Sequence, residues 1–206
     1  ELVPDDEARD DFVMPEFVGK MIDGNMLGKK TKAGFYKTDL TPEWKKIRKV
    51  IDPDTLEHAE YGKVDLPCLA AAKKADTLPE KIKAVVYGDD KGARFAWKAL
   101  AANLIYSANR IPEISDTIVE IDNAMKWGYN FEMGPFESWD AIGVAESVAR
   151  MEKDGFAVPE KIKKMLSGGN STFYKTEDGK TLYYDFASES YREMVVSDSA
   201  ISLAAM

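Results

Sequence analysis

The sequence predicts a mainly α-helical chain closed by a small β-hairpin near its C-terminus. Apolar residues recur at helical spacing through most of residues 91–142, and proline and glycine cut the remainder into helix-length pieces. The third observation is the pair of aromatic runs at residues 173–175 and 182–185. They flank Glu177-Asp178-Gly179-Lys180, where an Asp-Gly pair supports the positive φ angles of a tight hairpin turn.

From the N-terminus, an acidic tip leads into a short helix. Pro15 suits a first turn, Phe17, Val18, Met21 and Ile22 form its apolar side, and Gly24 stops it. Gly28-Lys29-Lys30-Thr31-Lys32-Ala33-Gly34 reads as a glycine-bounded basic loop entering an extended Phe35-Tyr36. Thr41-Pro42 resembles an N-cap and first turn, so a helix is expected over residues 41–51, with Trp44, Ile47, Val50 and Ile51 inside and Lys45, Lys46, Arg48 and Lys49 outside. Residues 52–64 lack periodicity and read as a linking loop with at most one helical turn. Residues 66–75 and 79–87 read as two short helices.

The longest helix is expected at residues 91–108, where Ala93, Ala96, Trp97, Leu100, Ala101, Leu104, Ile105 and Ala108 make a broad apolar stripe. Ile111-Pro112 breaks it. Ser115 is the expected N-cap of the next helix, which presents Ile118, Ile121, Ala124 and Met125 and runs to Gly128. Three further helices are expected to start near Pro135, Val144 and Pro159, and Gly168-Gly169 reads as a helix stop. Residues 197–206, small and mixed in polarity, are expected to be loosely held.

The chain also repeats itself. Met14-Pro15-Glu16-Phe17-Val18-Gly19-Lys20-Met21-Ile22-Asp23-Gly24 and Val158-Pro159-Glu160-Lys161-Ile162-Lys163-Lys164-Met165-Leu166-Ser167-Gly168 keep Pro, Glu, Met and Gly at one spacing, and each precedes Phe-Tyr-Lys-Thr, at residues 35–38 and 173–176. A first copy that survives only as its closing segment suggests numbering that begins inside a longer protein.

Composition narrows the function. With 206 residues and 45% hydrophobic content, the chain can bury a core. Thirty-six acidic against 28 basic residues, a net charge of −8, disfavour a general phosphate-backbone binder, so nucleic acid is not expected as a partner. One cysteine, Cys68, excludes an internal disulfide and fits a reducing compartment, with the cytoplasm as the default. No apolar run approaches the roughly 18 residues of a membrane-spanning helix.

Chemistry-bearing patterns are sparse. The sequence has no G-x-G-x-x-G after a strand, G-x-x-x-x-G-K-S/T, H-E-x-x-H or C-x-x-C. His58, the sole histidine, reads as a solvent-facing residue in an acidic loop, with general-base chemistry as the alternative. Cys68, between Pro67 and Leu69, reads as a small buried hydrophobe rather than a nucleophile, since no base is evident beside it. Glu132, Glu137 and Asp140 cluster, and the last two share a helical face. Paired carboxylates can move protons, but acidic residues in a first turn also complement the helix dipole. Asp116, Glu120 and Asp122 read as caps and solvated helix positions. No metal ligand set is expected. Lys29, Lys30 and Lys32, with the basic run at residues 45–49, are the candidates for meeting the phosphates of a nucleotide-tailed cofactor such as coenzyme A.

Residues 121–143, IDNAMKWGYNFEMGPFESWDAIG, closely resemble the C-terminal helical domain of 3-hydroxyacyl-CoA dehydrogenases, in which an I-D-x-A-M helix precedes a G-P-F-E-x-x-D turn and helix. Leu27-Gly28-Lys29-Lys30-Thr31-Lys32-Ala33-Gly34-Phe35-Tyr36 looks like the L-G-x-K-T-x-x-G-F-Y ending of that domain, with Lys32 where relatives more often have glycine. Long members carry the domain twice, after a Rossmann domain and often before an enoyl-CoA hydratase-like domain of the crotonase fold. The resemblance thus implies that residues 1–39 end a first helical repeat, 40–90 form a helical connector, 91–176 a second repeat, and 177–206 the hairpin return strand and tail.

It further implies an NAD-dependent oxidoreductase of fatty acid β-oxidation acting on acyl-CoA, with the hydride chemistry in a Rossmann domain that these residues lack. The helical portion would enclose substrate and support subunit contacts, such as a homodimer, and would be inactive alone. Asn109-Arg110 is similar to the family's N-R pair, but only eleven residues separate Arg110 from Asp122, so that role is not transferred. The alternative is a non-catalytic scaffold or dimerisation module.

Overall fold

A computed structural model describes residues 5–62 and 64–194, and the tail expected at residues 197–206 lies outside them. The chain forms two compact units, Glu1–Asp65 and Leu66–Met206.

In the first unit, α1 (Glu16–Asp23) buries Met21 and ends at Gly24. Three antiparallel strands follow: β1 (Tyr36–Leu40), β2 (Lys46–Ile51) and β3 (His58–Glu60), in spatial order β1-β2-β3. The helix expected over residues 41–51 is therefore a turn and a strand. Thr41 O accepts the Trp44 amide at 2.9 Å, and Trp44 takes the left-handed φ of 61° that turns the chain back. Ile47, Val50 and Ile51 suit either period, and in so short a run pairing decides. Cross-strand contacts favour extension: Lys49 Nζ lies 2.8 Å from Asp39, and the Arg48 guanidinium sits 4.5 Å over the Tyr36 ring. The loop expected over residues 52–64 likewise contains β3, which pairs His58 with Ile51. Residues 40–90 are thus not helical throughout.

The second unit is built from α2 (Pro67–Ala72), α3 (Leu78–Val86), α4 (Lys91–Asn109), α5 (Ile118–Tyr129), α6 (Pro135–Ile142), α7 (Val144–Lys153) and α8 (Glu160–Ser167). Thr77 and Glu80 form a capping box on α3, and Asp90 caps α4 by accepting the Ala93 amide at 3.0 Å. Thr117, not Ser115, is the N-cap position of α5. Ser115, two residues earlier, accepts the Thr117 amide on its Oγ at 3.3 Å. The core is lined by Trp97 and Leu104 of α4, Ile118 of α5, Phe136, Trp139 and Ile142 of α6, Met151 of α7, and Ile162 and Met165 of α8. The stripe read on α4 is the inner face of the longest helix.

The hairpin is present as β4 (Tyr174–Glu177) and β5 (Lys180–Asp185), turning through Asp178 and Gly179 at φ 51° and 76°. A third strand, β6 (Ser190–Glu193), pairs with β5 inside the region read as return strand and tail.

The repeat in the sequence is also a repeat in structure. Pro15 and Pro159 sit at φ −59° with ψ of 143° and 138°, and Gly24 and Gly168 at φ of −77° and −76°. Past each helix stop, Met26 N reaches Met21 O at 2.8 Å and Asn170 N reaches Met165 O at 3.1 Å. Phe35 O accepts the Ile51 amide at 3.0 Å, and Phe173 O accepts the Tyr184 amide at 2.7 Å.

The second hairpin turns match as well. The carboxylates of Asp52 and Asp185 accept the amides two residues ahead at 2.9 and 3.1 Å, and Leu56 and Glu189 hold φ of 60° and 53°. The third strand is tied back in the same way: His58 Nε2 donates to Gly34 O at 2.8 Å, and Tyr191 Oη donates to Thr172 O at 2.6 Å. Only the link between helix and Phe-Tyr differs, the basic loop at residues 27–34 against two residues, Ser171 and Thr172.

Candidate functional site: an acidic clasp and a basic loop

Asp122 falls four residues after Ile118 on the apolar stripe of α5, which turns its carboxylate inward. It is 1% exposed, so the solvated position expected for it is corrected to a buried one. Burial is tolerated because its oxygens are engaged. Oδ1 accepts the Phe136 amide at 2.8 Å, and Oδ2 accepts the Glu137 amide at 3.1 Å and the Tyr174 hydroxyl at 2.9 Å. Asp122 thus caps α6 from another helix, satisfying amides that the first turn leaves without partners.

The fit requires Gly134. A Cβ there would stand 2.4 Å from the Asp122 side chain. Gly128 has no such requirement: it lies within α5 with open space around it, and the left-handed residue ending that helix is Asn130, at φ 56°.

Glu137 adds a second cap. Its Oε2 accepts the Gly134 amide at 2.7 Å and its Oε1 meets Lys126 Nζ at 2.6 Å. Asp140, one turn further along α6, accepts the Phe173 and Tyr174 amides at 2.7 and 2.8 Å. That carboxylate draws the start of β4 onto α6 and seats Phe173 in the core, its ring centroid 5.0 Å from Phe136 and 5.3 Å from Trp139.

Burial pushes both aspartates up to about 6, against the pull of the amide donors. It also raises Tyr174, helped by the neighbouring charge of Asp122. Of the carboxylates grouped from the sequence, the structure brings Glu137 and Asp140 together with Asp122 and leaves Glu132 exposed. Their oxygens are spent on backbone amides, a tyrosine hydroxyl and a lysine, an arrangement that joins α5, α6 and β4. Sequence reasoning missed Asp122 and Tyr174. The available signal was an acidic residue on an apolar stripe.

In the first unit, the basic loop is rigidly built. Gly28 N donates to Ala33 O at 2.7 Å, and Thr31 Oγ1 accepts the Leu27 amide at 2.9 Å. Gly34 packs so closely that a Cβ would lie 2.7 Å from the Gly28 Cα. Lys29, Lys30 and Lys32 are exposed on this frame. The basic run behind them is not the exterior of a helix: Lys49 is paired to Asp39 and Arg48 lies over Tyr36.

His58 is half-buried in β3 rather than solvent-facing in a loop, its Nε2 bound to Gly34 O. Cys68 is buried at the start of α2, where its amide and thiol both donate to the Asp90 carboxylate, at 2.7 and 3.2 Å; burial and that carboxylate push the thiol up, away from the reactive thiolate. Asn109 ends α4 and Arg110 caps it. Asp116 and Glu120 stand at the entrance to α5. Among the described residues, no group of three or more His, Cys, Asp or Glu side chains is placed to hold a metal ion, and no helix is long and apolar enough to cross a membrane.

Residues 95–168, which hold Asp122, Glu137 and Asp140, match the family model for the 3-hydroxyacyl-CoA dehydrogenase, C-terminal domain. The chain carries a 3-hydroxyacyl-CoA dehydrogenase C-terminal domain. A Bacillus subtilis (strain 168) protein provisionally named a 3-hydroxyacyl-CoA dehydrogenase is 42% identical over 181 residues, or 88% of this chain. Proteins of Rickettsia felis and Rickettsia prowazekii, provisionally named fatty acid oxidation complex trifunctional enzymes, are each 31% identical, over 61% and 57% of the chain. The chain spans 22%, 16% and 15% of the lengths of these three relatives. No solved structure gives a significant match. The dehydrogenase domain accounts for α5, α6, α7 and α8 in full, while β4, which the clasp holds, follows the matched residues.

Proposed function

We propose that this chain is the C-terminal helical portion of an NAD-dependent 3-hydroxyacyl-CoA dehydrogenase of fatty acid β-oxidation, serving to enclose acyl-CoA and to support subunit contacts. The observation that carries the reading is the dehydrogenase-domain match over residues 95–168, whose acidic side chains are committed to holding helices and a strand together. On this reading residues 1–39 close a first helical repeat and residues 91–176 form the second. The matching backbone of the two helix-and-sheet modules supports that division.

NAD does not fit the described residues. Both sheets are antiparallel, without the parallel strand, glycine turn and helix that cradle a pyrophosphate. Hydride transfer therefore belongs to a dinucleotide-binding domain elsewhere in a longer polypeptide. Lys29, Lys30 and Lys32 supply exposed ammonium groups on a fixed frame and suit the phosphates of coenzyme A. The names of the Rickettsia relatives support a multidomain setting, in which a crotonase-fold domain is a further partner. A reduced, buried Cys68 is compatible with the cytoplasm.

The test is spectrophotometric. With 3-hydroxybutyryl-CoA, the longer polypeptide reduces NAD and the 206-residue chain does not; turnover by the chain alone would reject the assignment of chemistry. In the longer protein, reversing Lys29, Lys30 and Lys32 to Glu raises KM for acyl-CoA several-fold with kcat held, and an unchanged KM removes the loop from the substrate site.

One observation favours a scaffold reading as well. Trp127, Tyr129 and Phe131 are each exposed at the end of α5, with the last two rings 6.0 Å apart, and such residues suit a homodimer contact. Concentration-dependent sedimentation that is lost in Trp127→Ser supports it, and a monomer at all concentrations opposes it.

A further inference from the structure

Phe173 is fully enclosed, while its counterpart Phe35 is 52% exposed and the adjoining Tyr36 is 53% exposed. The backbone around the two pairs is nevertheless the same. Phe35 faces Ile51 as Phe173 faces Tyr184, each accepting its partner's amide. The register then places Tyr36 opposite Val50, and Tyr174 opposite Tyr183, at the alternate positions where the N–H points away from the neighbouring strand. In the second unit, the outward amides are bound by the Asp140 carboxylate, the phenylalanine ring is covered by Phe136 and Trp139, and the tyrosine hydroxyl is bound by Asp122. In the first unit the same aromatic pair is half-exposed: the Phe35 ring meets Phe17 edge-on at 6.3 Å, and Tyr36 O accepts the Gly34 amide at 3.2 Å.

We infer that the Phe35-Tyr36 edge is a docking site for a helix of the α6 kind, one that presents an aromatic residue to Phe35 and, one turn later, a carboxylate to the Phe35 and Tyr36 amides. Charge complementarity favours an acidic occupant: the Tyr36 N–H is directed away from β2, and the Arg48 guanidinium lies over the Tyr36 ring. The order of elements places the occupant. Asp140 precedes Pro159 by nineteen residues, so a counterpart counted from Pro15 would fall ahead of Glu1 in the same polypeptide. This rests on the reading of residues 1–39 as the end of a first helical repeat and adds the contact by which that repeat is closed.

Amide hydrogen exchange, in the 206-residue chain and in the longer natural polypeptide, tests it. The inference predicts that Phe35 and Tyr36 exchange at least ~100-fold more slowly in the longer polypeptide, while Phe173 and Tyr174 keep the same rates in both. Phe35→Ala in the longer polypeptide is expected to restore fast exchange at Tyr36 without altering Tyr174. Equal rates for Phe35 and Tyr36 in the two proteins, the absence of a folded segment ahead of Glu1, or protection in the short chain that grows with its concentration would each overturn the inference. NAD reduction by the same longer sample separates the two readings. Turnover with unprotected Phe35 removes only this contact, and protected Phe35 without turnover removes only the enzymatic assignment.

Discussion

Phe35 and Phe173 lead into the same three-stranded sheet, after the same proline-led, glycine-stopped helix, and one is half-exposed beside Phe17 while the other is sealed by two aromatic rings and an aspartate. The local sequence is sufficient to shape the module in both places, through proline and glycine caps, an Asx turn and a left-handed residue. What differs between the two copies is what lies against the Phe-Tyr edge. In the second unit that is the helical platform of a dehydrogenase C-terminal domain, in which carboxylates do the joining.

The largest effect expected on this contrast comes from the hub of the clasp. Asp122→Ala strips the acceptor from two amides and a hydroxyl in a buried setting, and urea denaturation is expected to show a loss of about 4 kcal/mol in the second unit, with the β1-β2-β3 module unaffected. A loss shared by both units would mean that they are not independently supported.

Next in size is the response to pH. Asp122 and Asp140 titrate near 6 when folded and near 4 when unfolded, so between those values the folded chain holds more protons. The contribution of this pair to stability is therefore greatest toward pH 4 and declines as pH rises through about 6, by on the order of 3 kcal/mol for each two-unit shift. Denaturation of the second unit across that range checks the sign, and Asp140→Asn is expected to flatten the slope.

The smallest effect lies where the two copies agree. Tyr191→Phe and His58→Phe each delete one tie to the carbonyl ahead of the Phe-Tyr pair, and each is expected to cost about 1 kcal/mol in its own module. A much larger effect of His58 on turnover in the longer protein would return it to the list of catalytic candidates.

Much of this arrangement was legible before the structure. The stripe of α4, the starts of α6, α7 and α8, and the Asp-Gly hairpin follow from periodicity and punctuation, both local properties. The I-D-x-A-M and G-P-F-E-x-x-D segments pointed to the family whose C-terminal domain matches residues 95–168. What escaped was non-local. Residues 46–51 suit helix or strand until the pairing of Lys49 with Asp39 and Ile51 with Phe35 is known. Asp122 looked like a solvated helix position because its partners lie 14 to 52 residues away. The strand β6 was hidden in a polar stretch whose register depends on the Asp185 turn.

The most direct test of the account is one substitution made in each copy of the module within the 206-residue chain. Phe173→Ala is predicted to cost about 3–5 kcal/mol in urea denaturation, because it leaves a cavity against Phe136 and Trp139, and Phe35→Ala is predicted to cost less than about 1 kcal/mol. Equal costs at the two positions would contradict the claim that the acid-clasped helical platform against Phe173 distinguishes it from Phe35.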